Sequence, residues 1–294
     1  MTDASSRDNF CYRHPSRQSF VLCQRCTRTV CSECQTPAPV GVICPECMKQ
    51  QRREQSPAQR KAQRHSGQGR VAALVGGRMP VTNIILMVTV AVSLLGMIPG
   101  TVGNTVKSSL LFYAPYLYPQ LFVNASFEPW RMLTALLVHS GFLHLALNML
   151  GLWMLGRILE PIVGKWRFLA LYILSGLGGS VAVALISPGS AVIGASGAVF
   201  GLMGALFSIG RHMGADVGGI VIILGINLVI GFLPGNNISW QAHVGGLVVG
   251  AIIGFIYART ARHKSATMRV LLLAALTAVL LIVVAVVPPV LLTQ

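Results

Sequence analysis

Charged residues are scarce in this chain, and acidic residues are the scarcest of all. Of 294 residues only 11% are charged, with eight Asp or Glu against 23 Lys or Arg. Ordinary soluble domains carry roughly 25% charged residues. Because 53% of the residues are hydrophobic, most of the chain is not expected to face water. The composition therefore excludes a soluble enzyme as a description of the whole chain.

Cysteine is absent from most of the sequence, because all seven cysteines lie between Cys11 and Cys47. An odd number argues against a closed set of disulfides. Residues 1–78 also hold 13 of the basic residues and five of the acidic ones, and no apolar stretch typical of a signal peptide opens the chain. We therefore expect a basic, cytoplasmic head in which thiols stay reduced, so that a metal site is favoured over disulfides.

The potential metal ligands of the head come in four pairs, each with a two-residue gap. These pairs are Cys11 with His14, Cys23 with Cys26, Cys31 with Cys34, and Cys44 with Cys47. Eight such ligands predict two structural, tetrahedral zinc sites in residues 1–48. The pairs can interleave, first with third and second with fourth, which resembles B-box and other cross-brace zinc fingers, or they can combine sequentially.

Closed sites of this kind predict a structural role and a cytoplasmic protein partner for the head. Four arginines make the surface of the head basic, but we regard nucleic acid as the less favoured partner. These are Arg13, Arg17, Arg25 and Arg28. Residues 49–79 are predicted to form a basic linker that lies against anionic lipid headgroups, or else a solvated spacer.

Seven apolar spans follow the linker and predict an all-α, polytopic membrane bundle. They cover residues 81–98, 142–158, 168–186, 193–210, 217–233, 241–258 and 269–292. Several approach the ~20 residues that cross a ~30 Å hydrocarbon core, and the shorter ones are expected within the bundle or in thinned bilayer. The backbone in lipid must satisfy its own hydrogen bonds, so the spans should be helical.

The basic residues predict how the spans are oriented. With the head in the cytoplasm, the inner loops hold eight Lys or Arg and the outer loops hold only Lys107 and Arg131. Basic loops stay on the cytoplasmic side. The sequence thus predicts a multi-pass cell-membrane protein with its N-terminus inside and its C-terminus outside.

Few polar side chains interrupt the apolar spans, and each is a candidate functional residue because burying it in lipid is costly. The candidates are His139, His144 and Asn148 at the second span, Ser196 at the fourth, and His243 at the sixth. These three spans run in the same direction, which should bring the side chains together near the outer face. Asn227 in the fifth span is interpreted as a helix-packing residue.

Ser196 lies in the sequence GASG at a predicted helix N-terminus, where free N–H groups can stabilise an oxyanion. Serine needs a base to become a nucleophile, and His243 in AHVGG is the candidate. His144 and Asn148, four residues apart, share a helical face and can donate to the same oxyanion. Phe200, one turn after Ser196, is placed to pack against the imidazole. No acidic residue falls at this depth, so the pattern predicts a Ser–His dyad.

Glycines predict that the fourth and sixth spans approach each other closely. Gly197 and Gly201 are four residues apart, and Gly246, Gly250 and Gly254 form a double GxxxG. Such spacing places small residues on one face of a membrane helix, so that backbones can meet.

The ordered motifs HSGFLHLALNMLG, GASGAVFGLMG and AHVGGLVVG resemble those of the rhomboid intramembrane serine proteases over roughly residues 80–260. EPWRMLT, with Trp130 and Arg131, resembles the first-loop signature of the same family. The resemblance implies a six-helix core in which Ser196 is the nucleophile and His243 the general base. It also implies an oxyanion hole made of His144, Asn148 and the Ser196 amide.

Other positions match the family in supporting roles. His139 matches a recurring position of less certain role, Gly194 and Gly197 flank the serine, and Phe200 stands where several members have Tyr. Arg131 and Glu160 match structural positions. The head and the seventh span, in residues 261–294, lie outside the common core.

The sequence therefore predicts an endopeptidase that hydrolyses peptide bonds in or near transmembrane segments of other membrane proteins, with no cofactor for catalysis. The alternative is a catalytically silent rhomboid-like scaffold that binds transmembrane helices and recruits cytoplasmic partners through the zinc head. A transporter lacks support, because no interrupted helices repeat between two halves.

Overall fold

A computed structural model describes two units of the chain, Met1–Ala73 and Leu74–Gln294. The described residues are 7–38, 41–54, 79–121, 126–232, 238–262 and 266–292. Most of the predicted linker, residues 55–78, and Lys264 of the last predicted inner loop lie outside these ranges. The linker therefore stays a prediction.

The first unit contains two small antiparallel sheets and one helix. Strand β1 (Phe10–Cys11) pairs with β2 (His14–Gln18), β3 (Thr36–Pro37) pairs with β4 (Val42–Ile43), and α1 spans Pro45–Glu54. Its buried cluster consists of six cysteines together with Val30. An apolar core of this size is too small to stabilise the unit by itself. Metal binding by the cysteine thiols is therefore the expected source of additional stability.

The second unit is a bundle of helices, as predicted. In the part of the chain that the structure describes, its helices are α2 (Pro80–Gly96), α3 (Thr101–Leu110), α4 (Arg131–Thr134), α5 (Phe142–Val163), α6 (Lys165–Ile186), α7 (Ser196–His212), α8 (Gly218–Phe232), α9 (Trp240–Arg262) and α10 (Ala266–Leu292). A helix occupies each of the seven predicted spans, so the all-α fold class is confirmed.

The helices differ in how well they suit a bilayer. Four are long and apolar enough to cross one by themselves, namely α5, α6, α9 and α10, while α2 and α8 are shorter apolar helices. Helix α7 has only 17 residues and is buried along much of its length. The expectation that some spans lie inside the bundle therefore holds for α7, which is enclosed by other helices.

Glu160 of α5 fixes the start of α2. Its carboxylate accepts hydrogen bonds from the backbone N–H groups of Val81 (3.0 Å) and Thr82 (2.8 Å) and from the Thr82 hydroxyl (2.6 Å). The first N–H groups of a helix have no partner within the helix, and negative charge is favourable there. The buried carboxylate is therefore satisfied by the helix N-terminus, which ties α2 to α5.

Arg131 organises the long connection between α2 and α5. Its buried guanidinium pairs with Glu128, donates to the backbone carbonyls of Ser108 and Leu111, and stacks over the ring of Tyr116 with 4.3 Å to the centroid. A structural role for Arg131 was implied by the family resemblance, and these contacts supply it.

Tyr118 joins this connection to the seventh apolar helix, α10. Its hydroxyl donates to the backbone carbonyl of Val284 at 2.6 Å, and both residues are buried. That carbonyl would normally accept a bond from residue 288, but residue 288 is a proline inside the helix and has no N–H. Tyr118 therefore satisfies an acceptor that Pro288 leaves free.

We predict that Tyr118→Phe lowers the free energy of unfolding by about 1–2 kcal/mol, because it leaves a buried carbonyl without a partner. Thermal unfolding in detergent measures the loss, and Tyr113→Phe is the matched control. Adding Pro288→Ala supplies the missing N–H, so it should reduce the cost of Tyr118→Phe. An equal cost in both backgrounds would contradict this account.

Candidate active site

Glycines bring the backbones of α7 and α9 into direct contact. A Cβ added to Gly246 would lie 1.9 Å from the carbonyl oxygen of Gly197, and one added to Gly250 would lie 2.0 Å from that of Gly201. At Gly254 the nearest atom would be the Cα of Ala205, at 2.6 Å. No side chain fits at these distances, so the predicted close approach of the two helices is confirmed.

Helix α6 also packs closely against α9, on a different face from α7. A Cβ on Gly245 would meet the carbonyl oxygen of Gly178 at 2.4 Å, and one on Gly179 would meet that of Ala242 at 2.9 Å. Helix α9 is thus fixed between α6 and α7. Its first turn, which carries His243, is held on both sides.

Ser196 is the first residue of α7. Gly194, two residues before it, has a φ of +117°, and a Cβ added there would lie 2.7 Å from the His144 ring. Only glycine combines this backbone conformation with this contact. Ala195 precedes the helix and provides no side-chain cap, so no capping side chain occupies the N–H groups of the first turn.

His243 is buried in the first turn of α9 and stacks on Phe200 of α7. The two rings are nearly parallel, with an interplanar angle of 10° and 4.1 Å between centroids. Among the described residues the Nδ1 atom of His243 has no hydrogen-bond partner. The stacking fixes the plane of the imidazole and leaves that ring nitrogen free. The packing predicted for Phe200 is therefore present.

His144 and Asn148 lie one turn apart on α5, as predicted. The Asn148 side-chain amide donates to the backbone carbonyl of His144 at 2.8 Å, and the Nδ1 atom of His144 lies 3.0 Å from the Ser140 hydroxyl. The amide group retains a second N–H. Both side chains face the cavity that Ser196 borders.

One cavity of about 1290 Å³ brings the four candidates together. Ser196, His243, His144 and Asn148 line it, and its walls include parts of α5, α6, α7, α8, the segment before α7 and the start of α9. No acidic side chain lines the cavity in the described ranges. The described residues also include no direct hydrogen bond between Ser196 and His243. Such bonds are often long before a substrate binds.

His139 lies outside this cavity, fully buried between α2 and the start of α7. Its Nε2 atom accepts the backbone N–H of Ala195 at 3.3 Å, and its Nδ1 atom is 2.9 Å from the Ser93 hydroxyl. Ser93 itself donates to the carbonyl of Leu137. Ser93 must therefore accept from His139, so the partners assign a neutral imidazole protonated at Nδ1. The sequence alone indicates neither this role of His139 nor its partner Ser93.

Comparison with known proteins identifies the family of this chain. The Rhomboid domain model matches residues 126–260. Among similar proteins, RHOMBOID-like protein 5 of Arabidopsis thaliana is 41% identical over 138 residues, which cover 44% of each chain. The Bacillus subtilis rhomboid-family protein YdcA is 33% identical over 138 residues, which cover 45% of this chain and 69% of YdcA. This chain belongs to the rhomboid family.

The rhomboid protease GluP of Bacillus subtilis is 36% identical over 127 residues, which cover 42% of this chain and 25% of GluP. The chain therefore matches less than half of the length of both GluP and the Arabidopsis relative. Membership of the rhomboid family together with the apolar helices makes this chain a multi-pass membrane protein.

The head lies outside the matched rhomboid region and contains two clusters of potential metal ligands. One consists of Cys11, His14, Cys31 and Cys34, and the other of Cys23, Cys26, Cys44 and Cys47. Within each cluster the ligand atoms lie within 4.8 Å of one another. Of the two pairings left open by the sequence, the structure has the interleaved one.

The electrostatics of the clusters suit a metal ion. Burial acts to raise the pKa of Cys11 and of Cys23, but backbone N–H groups that donate to each sulfur lower the pKa of both thiols to about 6. For Cys23 the donors include the N–H of Cys44, at 3.2 Å. Burial and the neighbouring cysteines raise the pKa of other thiols in the same clusters, as at Cys34, where the pKa is about 11. A cation would offset this crowding of negative charge, since thiolates are the form that binds metal.

We predict that Gly246→Ala destabilises the rhomboid core by about 2 kcal/mol or more, because its methyl group meets backbone and no side chain can move aside. Thermal unfolding in detergent provides the measurement. Gly225→Ala in α8 is the matched control, since a Cβ there meets nothing within 4 Å. Equal stability of the two variants would show that the α7–α9 contact is looser than described.

Proposed function

We propose that this rhomboid is an intramembrane serine endopeptidase that cleaves peptide bonds in or near transmembrane segments of other membrane proteins. One observation carries the proposal: Ser196, His243, His144 and Asn148 line a single cavity within a membrane bundle. The similarity to GluP, which is named a rhomboid protease, supports it. The proposed catalytic core is residues 80–260, preceded by the head and linker and followed by residues 261–294.

In the proposed reaction the Ser196 hydroxyl attacks the carbonyl carbon of the scissile bond while His243 takes its proton. The negative charge that develops on the carbonyl oxygen is stabilised by hydrogen bonds from the Ser196 N–H and from the side chains of His144 and Asn148. The protonated His243 then transfers its proton to the leaving amine, and the peptide bond breaks to give an ester at Ser196. His243 next deprotonates a water molecule, which hydrolyses the ester and restores the serine.

The site works as a dyad, because no carboxylate borders the cavity in the described ranges. The role of orienting the base therefore goes to Phe200, whose ring stacks on His243. Phenylalanine in place of the tyrosine seen in several family members keeps this ring contact. His139 acts at a distance, by holding the N–H of Ala195 directly before the nucleophile.

The lining of the cavity supports the proposed class of substrate. Much of its wall is apolar, including Met154, Met203 and Leu206. Such a wall favours a transmembrane segment over a soluble peptide. A helix must unwind before its backbone carbonyl can reach Ser196, so segments with helix-destabilising residues near the outer membrane face are the expected substrates.

Ser196→Ala and His243→Ala are predicted to abolish cleavage of a model transmembrane substrate, since losing either catalytic residue of a serine protease typically costs about 10⁶-fold in kcat. Cleavage in proteoliposomes, followed on gels, provides the measurement. Ser108→Ala is the matched control, because Ser108 is exposed in α3 and does not border the cavity. Substantial cleavage by Ser196→Ala would remove the protease proposal and favour the silent scaffold.

For the head we propose two structural zinc ions and a cytoplasmic protein partner. Three or four thiolates per cluster are the ligands that structural zinc prefers, and each set is complete without an open position. Zinc held in this way would stabilise a unit whose apolar core is small.

Metal analysis of the purified full-length chain should give two zinc ions. Cys11→Ser and Cys23→Ser are each predicted to lose one ion, and the double variant is predicted to lose both. Sequential pairing would put Cys11 and Cys23 in the same site, so a double variant that keeps one zinc ion would refute the interleaved arrangement.

We further propose that the N-terminus is cytoplasmic and the C-terminus extracytoplasmic, from the excess of Lys and Arg in the inner loops. This places Ser196 and His243 near the outer face, where water can reach the ester. A phosphatase reporter that is active only after export should be active when it is fused after Gln294. The same reporter fused to the N-terminus should be inactive. The opposite pattern would reverse the orientation.

A further inference from the structure

Two arginines lie at the end of the bundle opposite Ser196 and His243. Arg167 lies in the first turn of α6, and Arg269 lies in the first turn of α10. Both contact the same turn of α9, where Tyr257 bonds to the backbone of Arg167 and Thr260 bonds to the side chain of Arg269. Tyr257 of α9 donates its hydroxyl to the backbone carbonyl of Arg167 at 2.9 Å, which fixes the start of α6 beside α9.

Arg269 is buried, with only 8% of its surface exposed. Its Nε atom donates to the Thr260 hydroxyl at 3.0 Å, and its Nη2 atom donates weakly to the Thr260 carbonyl at 3.5 Å. Both of these partners are neutral oxygens of the same residue. A guanidinium carries five N–H donors and a full positive charge, and Arg269 forms no ion pair with an acidic side chain among the described residues.

No carboxylate of the described bundle is paired with either arginine. Residues 79–294 contain only three acidic residues, Glu128, Glu160 and Asp216. Glu128 pairs with Arg131, Glu160 accepts from the start of α2, and Asp216 accepts from the N–H of Gly218. None of the three forms an ion pair with Arg167 or Arg269 in the described ranges.

The positions of the arginines add to the cost. The N-terminus of a helix carries partial positive charge, so cations there are unfavourable and anions are favourable. Neither α6 nor α10 has an acidic residue in its first turn. Two helix N-termini and two guanidinium groups thus lie at one end of the bundle without an acidic partner among the described residues, which is an arrangement that an anion would stabilise.

The surroundings point to lipid as the source of the anion. Helix α10 is largely exposed along its apolar length, and only 11% of its most apolar window is buried in the bundle. Trp166, next to Arg167, is 70% exposed and lies against the Lys165 ammonium. Exposed Trp and Lys at a helix end mark the level of lipid headgroups.

We propose that Arg167 and Arg269 bind the phosphate of an anionic phospholipid at this end of the bundle. Guanidinium groups recognise phosphate oxygens through paired, charge-assisted hydrogen bonds. The inner leaflet carries the anionic lipids, so the choice of lipid over free phosphate rests on the proposed orientation. It does not depend on catalysis. The bound lipid would hold the N-termini of α6 and α10 together.

Native mass spectrometry of the full-length protein in detergent tests the proposal, with phosphatidylglycerol as the probe. Wild type should retain phosphatidylglycerol and not phosphatidylcholine of the same chain length. Arg167→Gln and Arg269→Gln should each weaken retention by about tenfold, the usual effect of losing one charge-assisted hydrogen bond. Arg211→Gln, which removes an exposed arginine of α7, is the matched control and should bind as wild type does.

Several results would overturn the proposal. The first is equal retention of phosphatidylcholine, and the second is wild-type affinity for phosphatidylglycerol in both Arg167→Gln and Arg269→Gln. The third is displacement of phosphatidylglycerol by an equal concentration of inorganic phosphate, which would assign the site to the free anion. If Arg269→Gln does not fold, Arg167→Gln decides the outcome, because Arg167 is exposed and its side chain supports no described contact of the bundle.

Discussion

The contact between the backbones of α7 and α9 is the constraint on which the rest of the site depends. Gly246 and Gly250 meet the carbonyl oxygens of Gly197 and Gly201 at distances that no side chain allows. Membrane helices gain little from hydrophobic attraction, since lipid is equally apolar, and they associate through close packing of small residues. Ser196 and His243 border the same cavity because each lies in the first turn of one of these two helices.

Buried polar groups elsewhere in the bundle are satisfied mainly by backbone atoms. Glu160 accepts from the start of α2, Arg131 donates to carbonyls of the first connection, and His139 accepts from Ala195. In a medium without water each such group would otherwise be costly. These bonds fix the ends of helices and the loops between them, and they surround the cavity with rigid elements.

The sequence predicts the helices and the convergence of the four cavity residues well. Length and apolarity mark the spans, and topology alone places His144, Ser196 and His243 at one level. The tautomer of His139 could not be predicted, because it depends on Ser93, whose small hydroxyl in an apolar helix carries no distinctive signal. Tyr118 and Val284 are 166 residues apart in sequence. Only the tertiary structure shows that the Tyr118 hydroxyl reaches the Val284 carbonyl, which Pro288 leaves without a helical partner.

The pairing of the zinc ligands illustrates the same limit. The repeated two-residue gap identifies all eight ligands, but both pairings satisfy that spacing equally. The choice depends on how β1 with β2 and β3 with β4 fold the chain, and strands of two to five residues leave little pattern in the sequence. The structure resolves the question through the distances between the ligand atoms of each cluster.

The structure of the protein after reaction with a fluorophosphonate tests the central claim most directly. We predict a covalent bond between phosphorus and Oγ of Ser196, with the phosphoryl oxygen within hydrogen-bond distance of the Asn148 side chain and the imidazole of His243 still stacked on Phe200. Attachment of phosphorus at another residue would contradict the account. So would an adduct at Ser196 with a helix lying between the phosphorus atom and the imidazole of His243.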